Sequence, residues 1–339
     1  MSELGVGIVG LGFMGRRHAA GVSRLAASGE PCRLIAVCDN RVTDRDQLMA
    51  AGTTGNIAES GEAIDWQNSV RLEASFRSML AATHIDVVCV CTPTPTHVDL
   101  ASEAIKAGKH VFVEKPVALR VSEIERLMKV AAEHPSQQVM PGHAMRFWPG
   151  WTQICRWIDD KRYGPVRSAT FRRLGSMPAW NQSFYGDVDA SGAALGDLHI
   201  HDIDFILATF GSPTRIIATG DPFHLTAALE FETGPSHVTA EAAWDHQPAF
   251  GFRMQVTINF EHATADFDSA RDIPLVLHKG NDSTPIPESV GDGYDTELRA
   301  FVRSIVSNEP PPVTLNDALR AARVIEVERE QLSRSRRQS

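Results

Sequence analysis

Residues 4–15 read LGVGIVGLGFMG, an apolar run followed by a turn with glycines at 10, 12 and 15. The run has no polar side chain before Gly10, as in a strand covered on both faces. MGRRHAAGVSRLAAS follows with helical spacing, and RLIAVCD (33–39) is a second apolar strand that ends in an acid. Strand, glycine turn, helix and acid-ended strand make a unit suited to a dinucleotide. Gly10 permits the tight turn, Gly12 lets a pyrophosphate approach the backbone, and Gly15 lets helix and strand pack closely. Phe13 and Met14 open the helix, where free N–H groups and the helix dipole favour phosphate. Asp39 stands 24 residues after Gly15, a spacing suited to a ribose diol. Its charge would repel a 2′-phosphate, so NAD is favoured over NADP. Asn40 and Arg41 follow it, and Arg41 either folds over the adenine or binds a phosphate instead.

The alternation continues outward from this unit. A helix is expected near 43–51, strands at IDVVCVCTP and HVFVEK, and a helix between them that ends at Gly108. The helix VSEIERLMKVAAEH and the short strand QQVMPGH follow, giving a parallel sheet covered on both faces. Residues 52–71 are polar and read as a surface insertion with a short helix around Ile64. The second half differs. After a helix near 151–161 come the strand PVRSATFRRL and a loop and helix over 177–210. RIIATG, HLTAALEFE, SHVTAEAAWD, FRMQVTINF, ATADFD and IPLVLHK then alternate as antiparallel strands. Two helices close the chain, and Thr314 with Asp317 resembles a capping box at the start of the second.

Composition narrows the function classes. A chain of 339 residues with 22% charged and 43% hydrophobic positions suits two globular domains. A net charge of −9 argues against a general nucleic-acid surface, and the tail RSRRQS is too short to change that. No run approaches a membrane span, and the N-terminal residues do not read as a secretion signal. Cysteines 32, 38, 89, 91 and 155 lack zinc spacing, and four lie in or beside strands. They read as buried reduced thiols of a cytoplasmic protein, and no metal site is expected.

GLGFMG, CTPTPTH (91–97), EKP (114–116) and GDLHIHDID (196–204) occur in the order and spacing of the Gfo/Idh/MocA oxidoreductases. The closing stretch from Tyr294 to Glu326 also resembles that family. The resemblance covers nearly the whole chain. It implies an α/β protein with an N-terminal Rossmann dinucleotide-binding domain over 1–143. A C-terminal α/β domain with an open, mainly antiparallel sheet over 144–339 would bind substrate and form a homodimer or homotetramer. The final helix is expected to pack back on the first domain.

By the same resemblance, Lys115 contacts both nicotinamide ribose and substrate, and Glu114 lies near the nicotinamide end. Thr92 and Pro93 face the cofactor. His97 is either a cofactor contact or a packing histidine at a helix start. Asp197 and His201, four residues apart, are expected on one face of a helix, with Asp204 one turn further. The histidine of this pair serves as general base for an alcohol proton, and the aspartate holds a hydroxyl or tunes it. Many members have glycine where this chain has His199, which should point away from that face and extend the pocket wall or pack. Arg146, Arg173, Trp180, Asn181 and Tyr185 are candidates for a polyol substrate, each with a structural alternative. The implied activity is oxidation of a secondary hydroxyl on a sugar, cyclitol or similar polyol, or the reverse reduction. A same-family reductase of a non-sugar substrate is a rival, as is a non-catalytic NAD(P)-binding sensor. A DNA-binding regulator lacks any basic element.

Overall fold

The protein is described by a computed structural model over residues 3–42, 44–50, 70–287 and 292–335. The helix expected around Ile64 lies outside these residues. In chain order the elements are β1 (Leu4–Val9), α1 (Phe13–Ala27), β2 (Cys32–Cys38), α2 (Arg45–Ala50), β3 (Arg71–Leu72) and α3 (Phe76–Ala81). Then come β4 (Val87–Val90), α4 (His97–Lys106), β5 (His110–Glu114), α5 (Val121–Glu133), β6 (Val139–Gly142), α6 (Pro149–Asp159) and β7 (Val166–Leu174). Four helices follow: α7 (Gln182–Tyr185), α8 (Val188–Ser191), α9 (Ala193–Asp197) and α10 (His199–Phe210). The strands β8 (Arg215–Asp221), β9 (His224–Glu230), β10 (His237–Ala243), β11 (Arg253–Phe260), β12 (Thr264–Asp268), β13 (Leu275–Lys279) and β14 (Asp282–Ile286) precede α11 (Gly293–Ser307) and α12 (Leu315–Ser335).

The chain divides into two compact units, residues 1–143 with 294–319, and 144–293 with 320–339. The first holds a parallel sheet in the order β3-β2-β1-β4-β5-β6. Its central strands are continuous apolar runs because helices cover both faces. The strand order reverses between β1 and β4, which opens a crevice at the carboxyl ends of the strands. Sequence reading put α11 with the second domain, but it belongs to the first unit. Gly21 on α1 explains the close approach. A Cβ there would come 2.8 Å from the Asp295 carboxylate. Arg24 also donates to Asp295 twice at 2.6 Å, and Phe301 lies 6.1 Å from Phe112. The start of α12 is in this unit and the rest, from Arg320, in the other. Its expected cap is present: the Asp317 N–H donates to Thr314 Oγ1 at 3.3 Å, and the Thr314 N–H donates back to Asp317 at 2.9 Å.

The second unit is built on an eight-stranded sheet in the order β14-β13-β12-β11-β7-β10-β9-β8. Every neighbouring pair is antiparallel except β7 with β10. Strict alternation along β11 gives the sheet one apolar and one polar face. On the apolar side Trp151 of α6 is fully buried, 4.7 Å from Phe205 of α10 and 6.0 Å from Phe171 of β7. On the other side Arg172–Glu241 and Gln255–Asp268 form cross-strand pairs at 2.7 and 2.8 Å.

Candidate active site

In the first unit the candidate residues gather at the carboxyl edge of the parallel sheet. Gly10 has φ +88°, and a Cβ there would lie 2.6 Å from the Cys91 carbonyl oxygen. A Cβ on Gly15 would collide with the Gly10 carbonyl, whereas one on Gly12 would meet nothing within 4 Å. Gly10 and Gly15 are therefore required by the fold, and Gly12 leaves a bare backbone facing open space. No side chain caps α1 at Gly12, so the first N–H groups of the helix, at Phe13, Met14 and Gly15, remain available to an anion. This cradle fits a dinucleotide pyrophosphate.

Asp39 follows β2. Its carboxylate accepts from the Leu11 N–H at 2.6 Å and the Arg41 N–H at 2.8 Å. Burial would raise its pKa, but those two bonds and the Arg41 guanidinium hold it below the usual carboxylate value. Asn40 and Arg41 are exposed beside it. Thr92 and Pro93 follow β4, and His97 lies behind them, 1% exposed. Its Nε2 is 2.6 Å from the Thr92 carbonyl and its Nδ1 2.9 Å from that of Pro116. His97 therefore takes the packing alternative: it is a strut that joins the Thr92 and Lys115 loops. Lys115 stands at the end of β5, and its N–H donates to Glu114 Oε2 at 3.2 Å. The other Glu114 oxygen is 2.5 Å from His18 Nε2. His18 went unnoticed in the sequence because 96 residues separate it from Glu114.

In the second unit Asp197 ends α9 and His201 lies in the first turn of α10, so the expected single helix is interrupted. The His201 N–H donates to Leu198 O at 3.1 Å, an i−3 bond that tightens the chain at the junction. Tyr185 lies within electrostatic range of Asp197. Its phenol is pushed up first by burial and then by that carboxylate. Trp244 and Trp180 meet the Tyr185 ring edge-on at 5.3 and 5.9 Å, and Trp180 is exposed. Asn181 accepts from Ser183 at 3.2 Å.

Two of the substrate candidates are paired with buried aspartates. Arg173 is 2% exposed, bonds Asp202 at 2.8 and 3.3 Å, and stacks 5.6 Å from Trp151. That corrects the expectation of a substrate contact: it neutralises a buried aspartate in the core. Arg146 forms a bidentate pair with Asp204 at 2.6 and 2.8 Å. His199 is fully buried on Glu328 of α12 at 3.2 Å, which settles it as a packing residue. Burial alone would lower its pKa, but Glu328 holds it above the ordinary histidine value. None of these long-range pairings has a local sequence signal.

Residues 4–143 match the family described as an oxidoreductase family with an NAD-binding Rossmann fold, and residues 151–266 match the GFO/IDH/MocA C-terminal domain. The chain belongs to the Gfo/Idh/MocA oxidoreductases. This Gfo/Idh/MocA member is similar to the inositol 2-dehydrogenase of Rhizobium meliloti, 25% identical over 93% of this chain and 92% of that one. It is also similar to an NADP-dependent D-xylose 1-dehydrogenase of Haloferax volcanii, 23% identical over 74% of this chain and 79% of that one. Its fold matches the UDP-N-acetylglucosamine 3-dehydrogenase of Acidithiobacillus ferrooxidans with a TM-score of 0.78 at 22% identity, covering 98% and 99% of the two chains. The member is an NAD(P)-dependent oxidoreductase, and none of its described helices is long and apolar enough to cross a membrane.

Proposed function

We propose that this Gfo/Idh/MocA member interconverts a secondary hydroxyl and a carbonyl on a sugar, cyclitol or related polyol. NAD is its preferred cofactor. The observation that carries this reading is that both reactive sets are intact. Lys115 directly follows β5 of the parallel sheet, and Asp197 with His201 flanks the α9–α10 junction. The turn from Gly10 to Gly15 would hold the pyrophosphate and Asp39 the adenosine ribose, with Thr92, Pro93 and Glu114 toward the nicotinamide end. When bound, the cofactor supplies a ring that accepts or returns a hydride.

The chain's own residues manage the oxygen and its proton. Lys115 orients the hydroxyl and stabilises the charge that develops on its oxygen. His201 accepts the proton, a role for which an imidazole is suited near neutral pH. Asp197 positions a second hydroxyl or tunes His201. Trp180, Asn181 and Tyr185 offer a stacking face and polar groups for a polyol. The cytoplasm suits a chain whose five cysteines are all free.

The test is reduction of NAD and NADP against a panel of cyclitols, aldoses and sugar acids. Turnover of a polyol with NAD preferred is expected. Failure of the intact protein with every polyol, alongside turnover of a non-sugar substrate, would overturn the substrate class.

A further inference from the structure

Behind Lys115 the first unit buries three ionisable side chains from three elements: His18 of α1, Glu114 of β5 and Glu297 of α11. One ligand-type atom from each lies within 4.8 Å of the other two. His18 and Glu297 have no exposure and Glu114 has 5%. Glu114 links the cluster to the proposed site, because one oxygen meets His18 and the other accepts the Lys115 N–H. Both oxygens of Glu297 are buried with no hydrogen-bond partner. The rings of Phe112 and Tyr294 stand edge-on to His18 at 5.0 and 6.2 Å, so the surroundings are largely apolar.

Two carboxylates at this separation in a buried site do not both ionise, since each charge raises the cost of the other. We propose that His18 and Glu297 are positioning residues for the dehydrogenase reaction: Glu297 stays a neutral acid, and His18 orients Glu114 as the one ionised carboxylate behind Lys115. The positioning role rests on the function proposed above, whereas the protonation of Glu297 does not.

The charges around the cluster agree with this division. Burial and then Glu114 push the Glu297 carboxyl well above its usual range. Burial acts on Glu114 in the same direction, but the His18 bond and the charges of His18, Lys115 and His97 bring it below the ordinary value. The neighbouring titratable groups are His97 from α4 and, from β4 and the residue after it, Cys89 and Cys91. Glu114 thereby places a fixed countercharge near Lys115, the side chain proposed to stabilise the charge on the substrate oxygen.

Infrared difference spectroscopy of the full chain at neutral pH tests the protonation. Glu297→Gln minus parent should lose the C=O stretch of a protonated carboxyl. Loss of ionised-carboxylate bands instead would overturn the proposal, and Glu297→Met provides the same comparison if the first variant does not fold. A stoichiometric divalent ion in the parent, absent from Glu297→Gln, would also overturn it.

The positioning role is read from kcat/KM against pH in His18→Gln, with circular dichroism as the check on folding. Loss of the His18 bond should let Glu114 hold a proton to higher pH, and the acid limb should move about one pH unit higher, the scale of a close charge. An unmoved limb would make His18 merely structural and overturn the positioning role. If the parent turns over no polyol, the reaction assignment falls on that result alone, and the infrared bands still decide the state of Glu297.

Discussion

At the scale of single residues, charge placement decides which candidates act. Lys115 and His201 each carry a proposed role at the reacting oxygen. Alanine at either should lower kcat by about a hundredfold or more, the scale of general acid–base effects. Steady-state kinetics on folded variants checks this, and near-parental turnover in both would remove them from the mechanism. Asp39 already accepts two backbone N–H groups, so its carboxylate is held in place before a ribose arrives. Asp39→Ala should therefore weaken NAD more than NADP in calorimetric titrations, and an equal loss would take the ribose contact away from it. The glycine turn and Lys115 were legible because local spacing carries their chemistry. Arg173 and His199 were not, because an arginine or histidine advertises charge in the sequence but not its partner. Asp202 lies 29 residues from Arg173 and Glu328 lies 129 from His199.

Secondary-structure elements were legible where pattern and length agree, and less so at their junctions. The apolar runs of β1, β2, β4 and β5 and the alternation of β7 to β13 all emerged from periodicity. β3 has only two residues and β14 is mostly exposed, so neither produces a hydrophobic signal. The break between α9 and α10 also left no trace, because GDLHIHDID keeps helical spacing across it. His199 fastens α10 to α12 through Glu328 immediately after that break. Its folded-state pKa is raised above the unfolded value of about 6.5, so the stabilisation is fully present below that pH. It is lost as pH rises through the folded value. Urea unfolding should show parent and Glu328→Gln differing most below about pH 6 and converging in alkali. Since breaking a buried pair typically costs about 3–5 kcal/mol, the difference at low pH should be large. A constant gap across pH would show that the pair does not titrate as a charged unit.

At the scale of the whole molecule, the change in sequence rhythm put the boundary at 143/144, where the structure also divides the chain, but gave no sign that residues 294–319 return to the first unit. α11 follows the last strand of the second sheet, yet its contacts with α1 and Phe112 put it in the first unit. Only spatial pairing carries that information. The polar face of the eight-stranded sheet, which carries the Arg172–Glu241 pair, is the surface we propose for self-association into a dimer or tetramer. Sedimentation equilibrium should give two or four times the mass of 37.1 kDa. Charge reversal at Arg172 should shift the protein toward monomer, and a monomer in the parent at micromolar concentration would contradict this arrangement. We propose hydride transfer from a polyol carbon with Lys115 and His201 at its oxygen. Its most direct measurement uses a polyol substrate deuterated at the carbinol carbon and mass spectrometry of the reduced cofactor. One deuterium is expected in the NADH formed by the parent, with transfer slowed by about a hundredfold or more in Lys115→Ala and His201→Ala. Unlabelled NADH from the parent, or undiminished transfer in both variants, would contradict it.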